Sequence, residues 1–282
     1  MKIHYINHFN EKITLTDSEF HTLSVNGVTP FTAIKSRENA FSAGADYISE
    51  HIMQRNITLV VYSEGDIDEA REKLCRVFRT GGEGTLYFDY GNGSTRTIKC
   101  RPESMPAPLK ERPGTMQISL LCLDPFFEDV RSTSVQVCGE RGLWEFDWEF
   151  TDNFEFGTIK EDESTLVVND GAYPAGCIIK INIRTGTVEG LKITNHDTNE
   201  YIALSGAYTV GDQITIDTRS KHKSVTLLSS GSIVPRNIIS RFIWGSSFFE
   251  LPPGNSRISA RSDNGISGID VNIYFSERYE SI

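Results

Sequence analysis

Short apolar–polar runs of strand length, each cut off by Gly, Pro, Asn or Asp, constrain this chain more than any other feature. Segments 57–62 (ITLVVY), 85–90 (TLYFDY), 95–100 (TRTIKC) and 116–123 (MQISLLCL) read as strands. The Gly91-Asn92-Gly93-Ser94 loop between the second and third marks a β-hairpin. Asp124-Pro125-Phe126-Phe127 follows the fourth, and its proline should end pairing there. Further strand candidates lie at 164–168, 176–183, 190–195, 200–204, 213–217, 223–228, 257–260 and 269–275. Their spacing, roughly 8–15 residues with turn residues between, is the pattern of an all-β sandwich.

One segment departs from this pattern. Residues 66–80 place Ile67, Ala70, Leu74, Val77 and Phe78 on one face at helical spacing. Asp66 suits the N-cap, with Glu69 three residues on as in a capping box, and Gly81-Gly82 supply a stop. This helix must bury its apolar stripe, most simply against neighbouring strands. Segment 38–54 reads as a loop or a reaching arm.

The 282 residues suggest two domains. With 38% hydrophobic residues and 10% aromatics the chain can build a core in each half. The net charge of −10 argues against a protein that grips nucleic-acid phosphates through a basic surface. The opening residues carry no secretory h-region, and no run approaches the roughly 18–20 apolar residues of a membrane span. Cys75, Cys100, Cys122, Cys138 and Cys177 are odd in number and scattered, so free thiols in a reducing cytoplasm are expected.

No chemical motif emerges. His4, His8, His21, His51, His196 and His222 show no zinc-binding spacing. There is no Gly-x-Ser-x-Gly elbow and no supported Cys/His pair. Glu161-Asp162-Glu163 reads as a solvated acidic loop rather than a glycosidase pair. Gly81-Gly82-Glu83-Gly84 lacks the Lys-Ser/Thr of a phosphate loop and follows a helix instead of preceding one. Asn195-His196-Asp197-Thr198-Asn199 reads as a polar hairpin turn, not a calcium loop. Trp144, Trp148, Trp244, Phe248 and Phe249 could stack on sugar rings, although packing is the commoner fate of such residues. The sequence therefore predicts no catalytic, cofactor-binding or metal-binding residues.

Local patterns in order along nearly the whole chain resemble the siphophage distal tail protein family. In the first half they are a helix followed by Gly81-Gly82-Glu83-Gly84-Thr85-Leu86-Tyr87, then Arg96-Thr97-Ile98-Lys99-Cys100, then Gly114 and a strand closing in Asp124-Pro125-Phe126-Phe127. In the second half they are Asn169-Asp170-Gly171-Ala172-Tyr173-Pro174, Gly211-Asp212-Gln213-Ile214-Thr215-Ile216-Asp217, Ser224-Val225-Thr226-Leu227, Trp244, Leu251-Pro252 and Pro253-Gly254-Asn255-Ser256.

The resemblance implies a mainly β protein of two domains. Residues 1–135 would form an α+β, β-barrel-like ring domain with one packed helix. Residues 136–282 would form a galectin-like or carbohydrate-module-like β-sandwich. It further implies a hexameric ring at the tip of a phage tail, with a central channel for DNA. The partners would be the tail tube protein, the tail-associated lysin or tip protein, and receptor-binding proteins on the sandwich. The setting would be an infecting phage, a prophage or a tail-like bacteriocin. Direct carbohydrate binding at the host surface is the alternative, and hydrolysis of cell-envelope polymers ranks third.

Overall fold

The computed structural model describes all residues except 30–31, 39–42, 44, 110–111, 143–156, 160–163 and 264–267. Two compact units are formed, Met1–Val130 with Arg278–Ile282, and Arg131–Glu277. Both are built almost wholly from antiparallel strands.

In the first unit the main sheet runs in the order Lys12–Thr14, Lys2–Ile6, Gly84–Asp89, Thr95–Pro102, Thr115–Cys122, Arg55–Ser63 and Phe20–Asn26. Strict alternation sets which face is buried. In Arg55–Ser63, Ile57, Leu59 and Val61 point into the core, and Ile118 and Leu120 do so from Thr115–Cys122. The outermost strands, Lys12–Thr14 and Phe20–Asn26, pair with no further strand among the described residues. The barrel-like first domain expected from the resemblance is thus an open sheet, not a closed barrel.

The helix spans Ile67–Val77 and buries Ala70, Leu74 and Val77. Asp66 caps it, its Oδ1 accepting from the amides of Asp68 at 2.8 Å and Glu69 at 3.2 Å. Glu69 instead sends its side chain to Lys73, at 3.3 Å, one turn on. The helix stops before the Gly81-Gly82 pair. Phe78 leaves helical geometry, at φ −88° and ψ 53°, and its fully buried ring stacks on Tyr5 at 4.4 Å. Tertiary packing therefore sets the stop three residues ahead of the glycines.

The second unit is a sandwich. One sheet has the order Thr133–Cys138, Ile269–Phe275, Cys177–Ile183, Gln213–Asp217, Ser224–Leu228, Arg236–Asn237. The other has the order Thr165–Asn169, Gly254–Arg261, Thr187–Asn195, Glu200–Thr209. Ile179, Ile181, Ile214, Ile216 and Ile273 from the first meet Val167, Leu191, Ile193, Ile202 and Ile258 from the second in one core. A separate short pair joins Glu140–Gly142 to Gly157–Ile159.

The chain passes between units at Val130/Arg131 and again at Glu277/Arg278. Residues 278–282, placed by sequence in a second domain spanning 136–282, lie in the first unit. Proline at 125 ends the Thr115–Cys122 ladder as expected. Pairing resumes at Phe127–Asp129, which lies against Thr95–Pro102 on one side and Arg278–Tyr279 on the other.

Leu74 is fully buried in the first core, so Leu74→Ala should cost about 2–5 kcal/mol. Asp66→Ala, which removes only the cap, should cost about 1 kcal/mol. Urea unfolding followed by circular dichroism ranks the two, and a cap loss equal to the core loss would contradict the packing described.

Candidate interaction surfaces

The patterns that resemble the tail family turn out to hold the fold together. Asn169 is buried, with Nδ2 donating to the carbonyls of Leu251 at 2.8 Å and Tyr173 at 3.2 Å, while Oδ1 accepts from the Gly171 amide. Asp212 follows Gly211, which sits at φ +87°. Its carboxylate accepts from the amides of Thr209 at 2.9 Å and Ser230 at 3.1 Å, tying two turns together. Gly84 is required by close approach, because a Cβ there would meet the Tyr5 hydroxyl at 2.2 Å. Gly82 likewise makes room for the His8 ring, and Gly81 turns the chain at φ +95°.

The histidines do not converge. His4 is half-buried and stacks on Tyr87 at 4.5 Å, and burial followed by the charge of Lys12 lowers its pKa. His8 lies beside Phe9. No group of three metal-binding side chains occurs among the described residues. Residues 195–199 join strands Thr187–Asn195 and Glu200–Thr209 as a hairpin turn. Within it Asn195 Oδ1 accepts from the amides of Asp197 and Thr198, and Asn199 takes φ +58°. Asp197 is committed to Arg257, accepting from its amide at 2.6 Å and from Nη2 at 2.9 Å. These hydrogen bonds hold the Asp197 carboxyl below the usual range.

One contact was invisible in the sequence. His196 Nε2 lies 2.8 Å from Ser259 Oγ, although the residues are 63 apart. Ser259 is buried, and the nearest turn carboxylate, Asp197, is taken by Arg257. The pair thus lacks an accessible nucleophile and an orienting acid. Burial pushes the Cys177 thiol up to about 12. Contact with Cys122 and then burial raise Cys100 as well. Neither offers a ready thiolate.

What the described residues do present is unpartnered apolar surface. Thr32–Glu38 and Ala45–Ile52 form a two-stranded hairpin that pairs with no other strand. The register Thr32↔Ile52, Ile34↔Glu50 and Ser36↔Tyr47 puts Ile34, Tyr47 and Ile52 on one face together with Thr32, Ser36 and Glu50, with Lys35, Ser49 and His51 on the other. Ile34 is 64% exposed and Tyr47 63%. An isolated two-stranded hairpin is only marginally stable in water. Sequence placed a candidate arm at 38–54, and the paired region begins six residues earlier.

A second surface lies on the link from Ser224–Leu228 to Gly254–Arg261. Residues 242–247 run beside the edge strand Glu200–Thr209, with the Ile243 amide donating to Ala203 and the Ser247 amide to Tyr201, each at 2.9 Å. This covering stretch leaves Trp244 97% exposed, with Ile239 and Ile243 partly exposed and Ile233 at a nearby loop tip. Of the proposed sugar-stacking residues, Phe249 is buried and Phe248 stacks on Phe242 at 4.7 Å. Trp144, Trp148 and Glu161-Asp162-Glu163 lie outside the described residues.

Comparison with known proteins gives a consistent picture. Residues 170–279 match the model of the siphovirus-type tail component, C-terminal domain. No curated protein matches the sequence. The whole chain is similar to the crystal structure of the phage SPP1 Dit (gp 19.1) protein, described as a paradigm of the hub adsorption apparatus in phages that infect Gram-positive bacteria. The TM-score is 0.71 at 15% identity, covering 98% of each chain. It is also similar to a chain of the phage P2 baseplate in its activated conformation with calcium, at TM-score 0.53 and 9% identity over the full length of both. The resemblance to the siphophage distal tail protein family holds, through the family match over residues 170–279 and through the fold over the whole chain.

Because its pKa is depressed in the folded state, Asp197 stabilises the hairpin tip at pH values above the ordinary carboxylate range, near 4, and loses that contribution as pH falls through its own lower midpoint. An NMR titration should place that midpoint below the ordinary value, and Arg257→Ala should raise it part of the way, since the backbone amide at 257 still donates to Asp197. An unchanged midpoint in the variant would contradict the ion pair.

Proposed function

We propose that this protein is a structural, non-enzymatic component of a long-tailed phage or phage-like tail tip. In this reading copies of the chain close into a hexameric ring around a channel for DNA. The ring joins the tail tube protein to the tail-associated lysin or tip protein and serves as a baseplate platform. The observation that carries the reading is the whole-length likeness to the SPP1 hub protein together with the family match in the second unit.

The hairpin Thr32–Ile52 is the element best suited to hold neighbouring copies. Its apolar face is unsatisfied within its own chain, and a second copy would bury Ile34 and Tyr47. A contact of this kind between unlike surfaces propagates head to tail and closes into a ring when the rotation allows. Beyond a single bridge from His21 to Thr16, the first unit also leaves the edge of Phe20–Asn26 unpaired among the described residues. The second unit, with its own core, is free to carry partners such as receptor-binding proteins.

Trp244 supports a second reading, carbohydrate binding at the host surface. An indole so exposed on a sandwich domain can stack on a sugar ring.

Light scattering across a concentration series, with negative-stain images of the same sample, tests the first reading. A discrete oligomer several-fold above 31.6 kDa, imaged as rings, is expected. Ile34→Asp with Tyr47→Asp should shift the mass toward the monomer and leave the far-UV circular dichroism spectrum of the folded chain unchanged. Intact rings in that double variant would sink the hairpin's role. Glycan binding lost in Trp244→Ala, from a protein that forms no rings, would favour the second reading.

A further inference from the structure

The first unit is finished by residues that come after the second. Arg55 is 1% exposed. Its Nη1 donates to the Val28 carbonyl at 2.8 Å and its Nη2 to the Glu280 carbonyl at 2.7 Å. Its guanidinium also lies over the buried Phe127 ring at 4.9 Å. Arg96 donates to the Ser281 carbonyl and stacks on Tyr279 at 3.9 Å. Arg278 is half-buried over Phe126, and its Nη2 stands 2.8 Å from both carboxylate oxygens of Asp124. Tyr279 and Ile282 pack against the first core, and Arg278–Tyr279 complete the ladder on Phe127–Asp129.

We infer that residues 278–282 are a closing strap, which withholds completion of the first unit until the second unit has been synthesised. Residues 1–130 leave the ribosome with Arg55 already placed for burial and half of its carbonyl partners still unmade. A buried guanidinium that loses a partner is strongly destabilising, and Arg55, whose buried Nε already has no hydrogen-bond partner, can least spare the Glu280 carbonyl. The Phe127–Asp129 edge is open at that stage, and Tyr279 and Ile282 are missing from the core. Once residues 278–282 arrive, Arg55 and Arg96 engage them, and the strap's own Arg278 engages Asp124. If the first unit is the self-associating one, as proposed above, nascent chains are thereby kept out of rings until they are whole. That consequence rests on the functional reading, whereas the strap itself does not.

The buried cysteines report on each unit separately. Cys100 and Cys122 lie in the first core, Cys138 and Cys177 in the second. Iodoacetamide labelling of the native full chain, read by peptide mass spectrometry, gives an opening rate for each. In full-length Arg278→Ala with Tyr279→Ala, Cys100 and Cys122 should label roughly tenfold faster or more, with Cys138 and Cys177 unchanged. A chain ending at Glu277 should show the same pattern more strongly, and a synthetic peptide of residues 276–282 should slow the labelling again. Cys100 and Cys122 as protected in the double variant as in the parent would overturn the strap. Should the shorter chain expose all four thiols, the full-length double variant decides. The mass of each sample by light scattering judges the assembly clause separately. A parent that never oligomerises removes that clause and leaves the strap to the thiols. A strapless chain that still forms rings refutes the clause.

Discussion

Every β-strand carries two edges of amide and carbonyl groups, and each edge must be paired, covered or offered to something else. That requirement organises both units. In the second, the long strand Glu200–Thr209 is an edge of its sheet, and residues 242–247 lie along it and take up its free carbonyls at Tyr201 and Ala203. In the first, Phe127–Asp129 is covered on one side by Thr95–Pro102 and on the other by the returning Arg278–Tyr279. Where covering stops, apolar surface begins. The hairpin Thr32–Ile52 and the Phe20–Asn26 edge are the places where the first unit leaves its pairing unfinished.

The second unit was legible in the sequence to a degree the first was not. Strands 213–217 and 269–275 have the bounds that alternation predicts, because Ile214, Ile216, Val271 and Ile273 face one side and polar residues the other. The first fifty residues gave no such signal beyond an early strand. Phe20–Asn26 carries a register shift between Thr22 and Ser24, which breaks its alternation. Among the described residues, 34–36 and 45–51 are exposed on both faces, so burial imposes no period on them. The return of residues 278–282 was likewise unreadable. Two ladder pairs and a buried arginine 225 residues away leave no periodic trace.

The site followed the same rule. Asn195 and Asp197 announced a polar turn, since Asx side chains bind the amides two residues on, and the geometry is of that kind. His196 beside Ser259 had no local signal, because the two meet only through pairing of Thr187–Asn195 with Gly254–Arg261. The glycines after the helix were read as its stop. Gly81 turns the chain there at φ +95°, whereas Gly82 and Gly84 yield space to His8 and Tyr5, which a sequence does not display.

The patterns that carry the family resemblance explain how a fold survives at 15% identity. Asn169 and Asp212 each satisfy several backbone groups at once, and Gly84 yields its side-chain space to a buried tyrosine. Replacing Asn169 would leave the buried Leu251 carbonyl without its side-chain donor, a costly loss. Core positions ask less. Any apolar side chain of suitable volume fills the place of Ile179 or Ile214 at modest cost.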